Sequence, residues 1–281
     1  NTGIDNTVFG YNALSSDTKG NQTVAIGRSV LSSQNFTTST NSGNTAVGYS
    51  AGGQVTTGTL NTLIGGGTGD ALTDADKNTA VGYTALSGDT LGSQSTAVGY
   101  QALFTQNFTT ATNTFNTAVG YNAGSSVTTG TGNTFLGASA GDGTDDGGNN
   151  TAVGYLSLSA NCADSNTAVG VASLQVCTGN NNVAVGTNAL LKSAAADINI
   201  GIGSSAGGEL TSGAQNICIG YLSGRHGVNL QTGSKNLLIG SYTDTSATDT
   251  DNANAIGYNI TGEEGYTTLG VDSSDIRAAH G

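Results

Sequence analysis

The sequence predicts an all-β fold, a parallel β-solenoid (β-roll) of about sixteen coils of 16–21 residues. The hexapeptide Asn44-Thr45-Ala46-Val47-Gly48-Tyr49 recurs along the chain, and its β-branched centre, bounded by Asn and Gly, is typical of a strand too short to be a helix. The second observation is the spacing of the repeat glycine, most often 17 residues, over sixteen copies: Gly10, Gly27, Gly48, Gly65, Gly82, Gly99, Gly120, Gly137, Gly154, Gly170, Gly186, Gly203, Gly220, Gly240, Gly257 and Gly270. We predict one continuous solenoid domain over residues 1–270, and a tail or a connection to a missing domain over residues 271–281.

Composition favours an ordered repeat. The 281 residues include 45 Gly and no Pro, and a proline would remove a hydrogen-bond donor from a long backbone ladder. A glycine period of 17 excludes collagen, in which every third residue is glycine. The net charge of −12 argues against nucleic acid or an anionic membrane as partner. No apolar run is long enough to span a bilayer, so we expect no membrane insertion.

The strand of each coil is apolar on both faces. Numbered from the repeat glycine, Val47 is at position −1, Ala46 at −2 and Thr45 at −3. Neighbouring strand residues point to opposite faces, and a strand that is apolar on both faces is covered on both. We expect positions −1 and −3 to face the interior of the coil and the small alanines at −2 to pack against another chain. The asparagines at −4 are expected to stack and to hydrogen-bond along the ladder.

The repeat N-T-A-V-G-Y-x-A-L/G resembles the head repeats of trimeric autotransporter adhesins, a β-roll with an S-V-A-I-G motif. It resembles even more the solenoid shafts of bacteriophage tail fibres and tail-spike-like proteins, and the resemblance covers nearly the whole chain. Residues 267–277 are similar to segments that precede a self-cleaving chaperone domain in such fibres. The resemblance implies a homotrimeric, extracellular fibre, either a virion tail fibre or a cell-surface appendage.

Motifs that suggest chemistry are accounted for by the repeat. Residues 137–141 and 203–207 match the G-x-S-x-G nucleophile elbow, but they occupy the same repeat positions as residues 48–52. A polysaccharide depolymerase would need paired carboxylates in a groove, and the chain has only three glutamates. The aspartates at 142, 145 and 146 form a solvated turn or a weak cation site, with a spacing unlike an EF-hand. We therefore expect no enzyme, no cofactor and no metal site.

Three cysteines leave two alternatives open. Cys162 and Cys177 fall at nearly the same place in consecutive coils, and Cys218 lies further along. Cys162 and Cys177 either form a disulfide between coils or are idle buried thiols.

Candidate contact residues come from two patterns. Eight of the ten tyrosines share position +1, where they form either an outward aromatic stripe that stacks on sugars or packing between chains. Two long coils carry a phenylalanine in matched insertions, as a lid on the core or as an exposed contact. The candidate receptor or glycan contacts are Phe36, Phe108, Tyr49, Tyr83, Tyr100, Tyr121 and Tyr155.

The function expected from the sequence is a non-enzymatic, homotrimeric fibre or adhesin segment that attaches to a host surface receptor or glycan. The alternatives are a single-chain solenoid that binds ice or glycans, and a bacterial surface adhesin filament. Ranks of threonine on a β-solenoid can order water, but an inward-facing threonine at −3 weighs against ice binding.

Overall fold

The structure, a computed structural model, describes residues 3–280 and divides the chain into two compact units, Asn1–Gly148 and Asn149–Gly281. Each unit is a parallel β-solenoid, and together they make about sixteen turns with coils about 17 residues apart. Within residues 3–280 there is no helix. The predicted fold class is therefore confirmed, whereas the extent of one continuous domain over residues 1–270 stays a prediction.

The first unit contains twelve short strands. Eight of them carry the repeat and pair in parallel, and the other four form two small parallel pairs, each joining a longer coil to the coil before it. The strands are β1 (Thr7–Phe9), β2 (Gly20–Asn21), β3 (Val24–Ile26), β4 (Thr40–Asn41), β5 (Thr45–Val47), β6 (Thr62–Ile64), β7 (Thr79–Val81), β8 (Gly92–Ser93), β9 (Thr96–Val98), β10 (Thr112–Asn113), β11 (Thr117–Val119) and β12 (Thr134–Leu136).

The second unit contains eleven strands and ends differently. The strands are β13 (Thr151–Val153), β14 (Thr167–Val169), β15 (Val183–Val185), β16 (Ile200–Ile202), β17 (Ile217–Ile219), β18 (Leu237–Ile239), β19 (Asp244–Thr245), β20 (Asn254–Tyr258), β21 (Thr261–Gly262), β22 (Tyr266–Val271) and β23 (Ser274–Ala279). Strand β23 runs antiparallel to β22 and carries Arg277, which forms ion pairs with Glu263 and Asp275. Most of the predicted tail is thus a strand that closes the parallel ladder.

The strand orientation predicted from the sequence is wrong. The residues at −2, such as Ala46, Ala80 and Leu63, are fully buried inside the coil, while the residues at −1 and −3 flank them on the outer face and are at least partly exposed. The alanine face is therefore the core of a single chain and not a surface between chains. The threonines at −3 likewise point outward. Position −2 is alanine in the coils whose opposite wall already fills the interior.

That opposite wall is formed by position +4, which alternates between Leu and Gly. Leu86 and Leu103 are fully buried in coils whose −2 residue is alanine. In the coil of Phe135, where −2 is large, position +4 is glycine: a Cβ built on Gly141 would collide with the Phe135 ring, and one on Gly124 would lie 2.8 Å from its Cδ2 atom. The side chains at −2 and +4 thus share one fixed volume, which a close-packed interior requires.

The asparagine column at −4 stabilises the turns from inside, which confirms the predicted stacking. Asn61 donates its backbone N–H to Oδ1 of Asn44 at 2.9 Å, and its own Nδ2 donates to the Ala75 carbonyl at 2.8 Å. In the second unit the side chains also bond to each other, as between Asn236 Nδ2 and Asn216 Oδ1 at 2.9 Å. These buried amides are paired, so the polar column does not carry the cost of unsatisfied groups.

Candidate functional site

One apolar surface of the second unit is the outward face of four consecutive strands, β15 to β18. Both outward positions of these strands, −3 and −1, carry aliphatic side chains that are partly exposed, with Val185 and Ile202 the most exposed at 37% and 39%. The strands pair in register, so the eight side chains form two parallel columns. We call these residues the aliphatic face: Val183, Val185, Ile200, Ile202, Ile217, Ile219, Leu237 and Ile239. A contiguous apolar patch of this kind is a candidate interaction surface.

The corresponding face of the first unit has a different chemistry. Six threonines at −3 lie in register on consecutive repeat strands: Thr45, Thr62, Thr79, Thr96, Thr117 and Thr134. They are partly or largely exposed, and beside them runs the −1 column of Val, Ile and Leu. We call this surface the threonine face. It consists of one column of threonine hydroxyl groups beside one column of aliphatic side chains.

The tyrosines at +1 lie on the surface. The five predicted contact residues, Tyr49, Tyr83, Tyr100, Tyr121 and Tyr155, are between 42% and 61% exposed. Three of them stack nearly parallel, with centroids 5.9 Å apart for Tyr83 and Tyr100 and 5.2 Å apart for Tyr100 and Tyr121. Because the stacked rings cover each other's faces, a ligand meets mainly their edges and hydroxyl groups.

Two positions interrupt this column in the first unit. Arg28 takes the place of a tyrosine, and its guanidinium lies 5.9 Å from the ring centroids of both Tyr11 and Tyr49, within cation–π range. Gly66 leaves a one-residue gap between Tyr49 and Tyr83. The exposed ladder is therefore continuous only from Tyr83 to Tyr121.

The two phenylalanines predicted in the insertions pack onto the core. Phe36 and Phe108 are only 5% and 7% exposed. The backbone N–H of Phe108 donates to Oδ1 of the buried Asp89 at 3.0 Å, and Gln106 Nε2 donates to the other carboxylate oxygen at 2.6 Å. Burial raises the pKa of Asp89, and these hydrogen bonds oppose that rise. A receptor contact through these rings stays a prediction, and it would require the insertion to open.

The sequence reasoning missed an aromatic cluster in the second unit. Tyr242 lies between Tyr221 and Tyr258, with centroids 5.4 Å and 5.7 Å away in edge-to-face geometry, and the His226 ring lies 4.5 Å from Tyr242. Tyr242 is at position +2, one residue beyond the tyrosine column, which is why the column did not include it. The signal was the longer spacing between Gly220 and Gly240, which places His226 in the extra residues.

Residues 3–280 form no pocket, and they bring together no group of three His, Cys, Asp or Glu side chains that could hold a metal ion. No helix in that range is long and apolar enough to cross a membrane. No protein-family model, no curated protein and no solved structure matches this chain.

Proposed function

We propose that the chain is a non-enzymatic structural segment of an extracellular homotrimeric fibre, which assembles through its outward sheet face. The observation that carries the proposal is the aliphatic face on β15 to β18. Burying side chains such as Ile202 and Ile219 against another copy removes apolar area from water, which contributes about 25 cal/mol per Å². The trimer and the place of the fibre on a virion or a cell surface rest on the resemblance of the repeat.

The tyrosine column supports attachment to a host receptor or glycan. Its hydroxyl groups lie in a row beside the sheet face, and tyrosine combines an apolar ring with a polar tip. The edges of Tyr83, Tyr100 and Tyr121 would then meet sugar hydroxyl groups, while the sheet face meets the other chains.

We expect light scattering on the purified chain to give three times the mass of one chain. Ile202→Lys combined with Ile219→Lys is expected to give a monomer, because it places two like charges on the surface that assembles. Both side chains point outward, so the circular dichroism spectrum should be unchanged. Val176→Lys is the matched control, since Val176 is 46% exposed but lies outside the sheet face. A monomeric parent protein at high concentration would overturn the proposed assembly.

Ice binding is the second candidate, and the threonine face favours it. The argument against it required the threonines at −3 to point inward, and they point outward. A fibre that buries the outward face would cover these hydroxyl groups. The fibre therefore predicts a trimer, whereas ice binding predicts a chain whose outward face stays exposed. Thermal hysteresis in a monomeric sample, lost in Thr79→Tyr with Thr96→Tyr, would establish ice binding. No hysteresis at high protein concentration would exclude it.

A further inference from the structure

Cys162 and Cys177 occupy neighbouring places in the core of the second unit. Both thiols are free in the structure and almost completely buried. Cys162 Sγ donates to the backbone carbonyl of Cys177 at 2.8 Å, across one turn of the solenoid. Strands of a parallel ladder are about 4.8 Å apart, and disulfides join Cα atoms roughly 4.4–6.8 Å apart. The 2.8 Å contact between Cys162 Sγ and the backbone of Cys177 places these residues of adjacent turns within reach of such a bond.

The surroundings make the two sulfurs chemically unequal. The Cys162 thiol donates toward Cys177, and the Asn182 amide donates to the Cys177 sulfur at 3.7 Å. The hydrogen bond from Cys162 lowers the pKa of Cys177, and the same contact together with burial raises the pKa of Cys162. Cys177 is thus the sulfur that ionises first and acts as the nucleophile, because the thiolate is the reactive form.

We infer that Cys162 and Cys177 are a disulfide-forming site that links two successive turns of the solenoid. The oxidant is a small disulfide such as oxidised glutathione. The Cys177 thiolate attacks one of its sulfurs and releases the first small thiol, which leaves a mixed disulfide on Cys177. Cys162 then loses its proton and attacks the Cys177 sulfur, and the second small thiol leaves with that proton. The two cysteines are oxidised, and one small disulfide is reduced to two thiols.

Cys218 provides an internal comparison. It is fully buried, and burial raises its pKa to about 12. It lies at position −2 of its coil, whereas Cys162 and Cys177 follow their repeat glycines by eight and seven residues. The inference therefore assigns oxidation to one pair and leaves Cys218 reduced. Because all three thiols are shielded from solvent, the bond forms while the chain folds or when a turn opens.

The test is to refold the full chain in a glutathione redox buffer, block free thiols, and digest with a protease that cleaves before aspartate. Cleavage before Asp146, Asp164 and Asp197 separates the cysteines into three peptides with one cysteine each. We expect the peptides of Cys162 and Cys177 to be linked and that of Cys218 to be alkylated. Fully alkylated cysteines, glutathione adducts without the link, or a link to Cys218 would each overturn the inference.

The melting temperature distinguishes a disulfide that fits the folded coil from one that forms without fitting it. The oxidised protein is expected to melt roughly 5–10 °C above the reduced protein, as a bond closing a short loop in a domain of this size does. Cys162→Ser should melt at the same temperature with and without oxidant, and Cys218→Ser should keep the difference. A linked protein that melts no higher than the reduced one would show that the bond does not fit the folded coil.

Discussion

Gly65→Ala is expected to destabilise the first unit by about 4 kcal/mol or more, a cost typical of disrupted backbone and core positions. Gly65 has φ +139°, which a residue with a Cβ adopts only with strain, and the added Cβ would collide with the carbonyl oxygen of Gly82 in the next turn. That carbonyl accepts hydrogen bonds from the Thr68 hydroxyl and from the Ala85 N–H, so it cannot move away without breaking them. Urea denaturation followed by circular dichroism measures the loss.

Two glycines serve as controls for the separate causes. Gly66→Ala, one residue further on, places its Cβ at 3.5 Å from the Tyr83 ring, an ordinary contact, so we expect a change within about 0.5 kcal/mol. Gly265 has φ +74° with no atom within 4 Å of an added Cβ, so Gly265→Ala reports the conformational cost alone, about 1–2 kcal/mol. If Gly65→Ala cost no more than Gly265→Ala, the contact between turns would not explain the repeat glycine.

The repeat glycine also shows why the fold could be predicted from one sequence. The period of the glycine sets the length of a coil, and Asn at −4 precedes most of the strands with a side chain that bonds to the adjacent turn. Both are local features that recur from coil to coil. The coil length and the strand positions were therefore visible without any knowledge of tertiary contacts.

Which face of the strand points into the coil could not be predicted in the same way. A period of two shows that Ala46 and Val47 face opposite sides, but it does not identify the interior when both are apolar. Because valine is larger than alanine, it was expected to fill the core. The narrow coil, however, has room only for alanine at −2 where leucine is at +4. A different pattern carried the information: Gly69 and Gly141 accompany the large Leu63 and Phe135. When one position is glycine where the other is large, the two side chains occupy the same space in the core.

The same error concealed the candidate surface. The change at −3 from Thr in the first unit to Ile200, Ile217 and Leu237 in the second is plain in the sequence. Because the −3 column was expected to face inward, this change did not indicate a surface. With the orientation corrected, these residues become the aliphatic face. The prediction of an apolar surface between chains therefore moves from the alanines to the aliphatic residues at −3 and −1.

Phe135→Ala is expected to cost about 3–5 kcal/mol, the usual range when a large buried aromatic ring is removed. Phe135 is fully buried, and its ring fills the space left by glycine at +4 in two turns, at Gly124 and Gly141. Phe115→Ala is the matched control, because Phe115 is largely exposed and its loss should change the unfolding free energy little. Denaturant unfolding of the variants gives both values.

Adding Gly141→Leu to Phe135→Ala should restore part of the lost stability, because it converts the coil to the alanine-and-leucine type. Leucine tolerates this backbone conformation: Leu86 and Leu103 have φ of 55° and 50° at the same position, close to the 61° of Gly141. In the parent protein, Gly141→Leu should instead be strongly destabilising, since its side chain would overlap the Phe135 ring. The two changes are therefore expected to be non-additive by more than about 2 kcal/mol. If Gly141→Leu were equally destabilising with and without the ring, −2 and +4 would not share one volume. The corrected orientation of every strand, and the outward faces derived from it, would then be wrong.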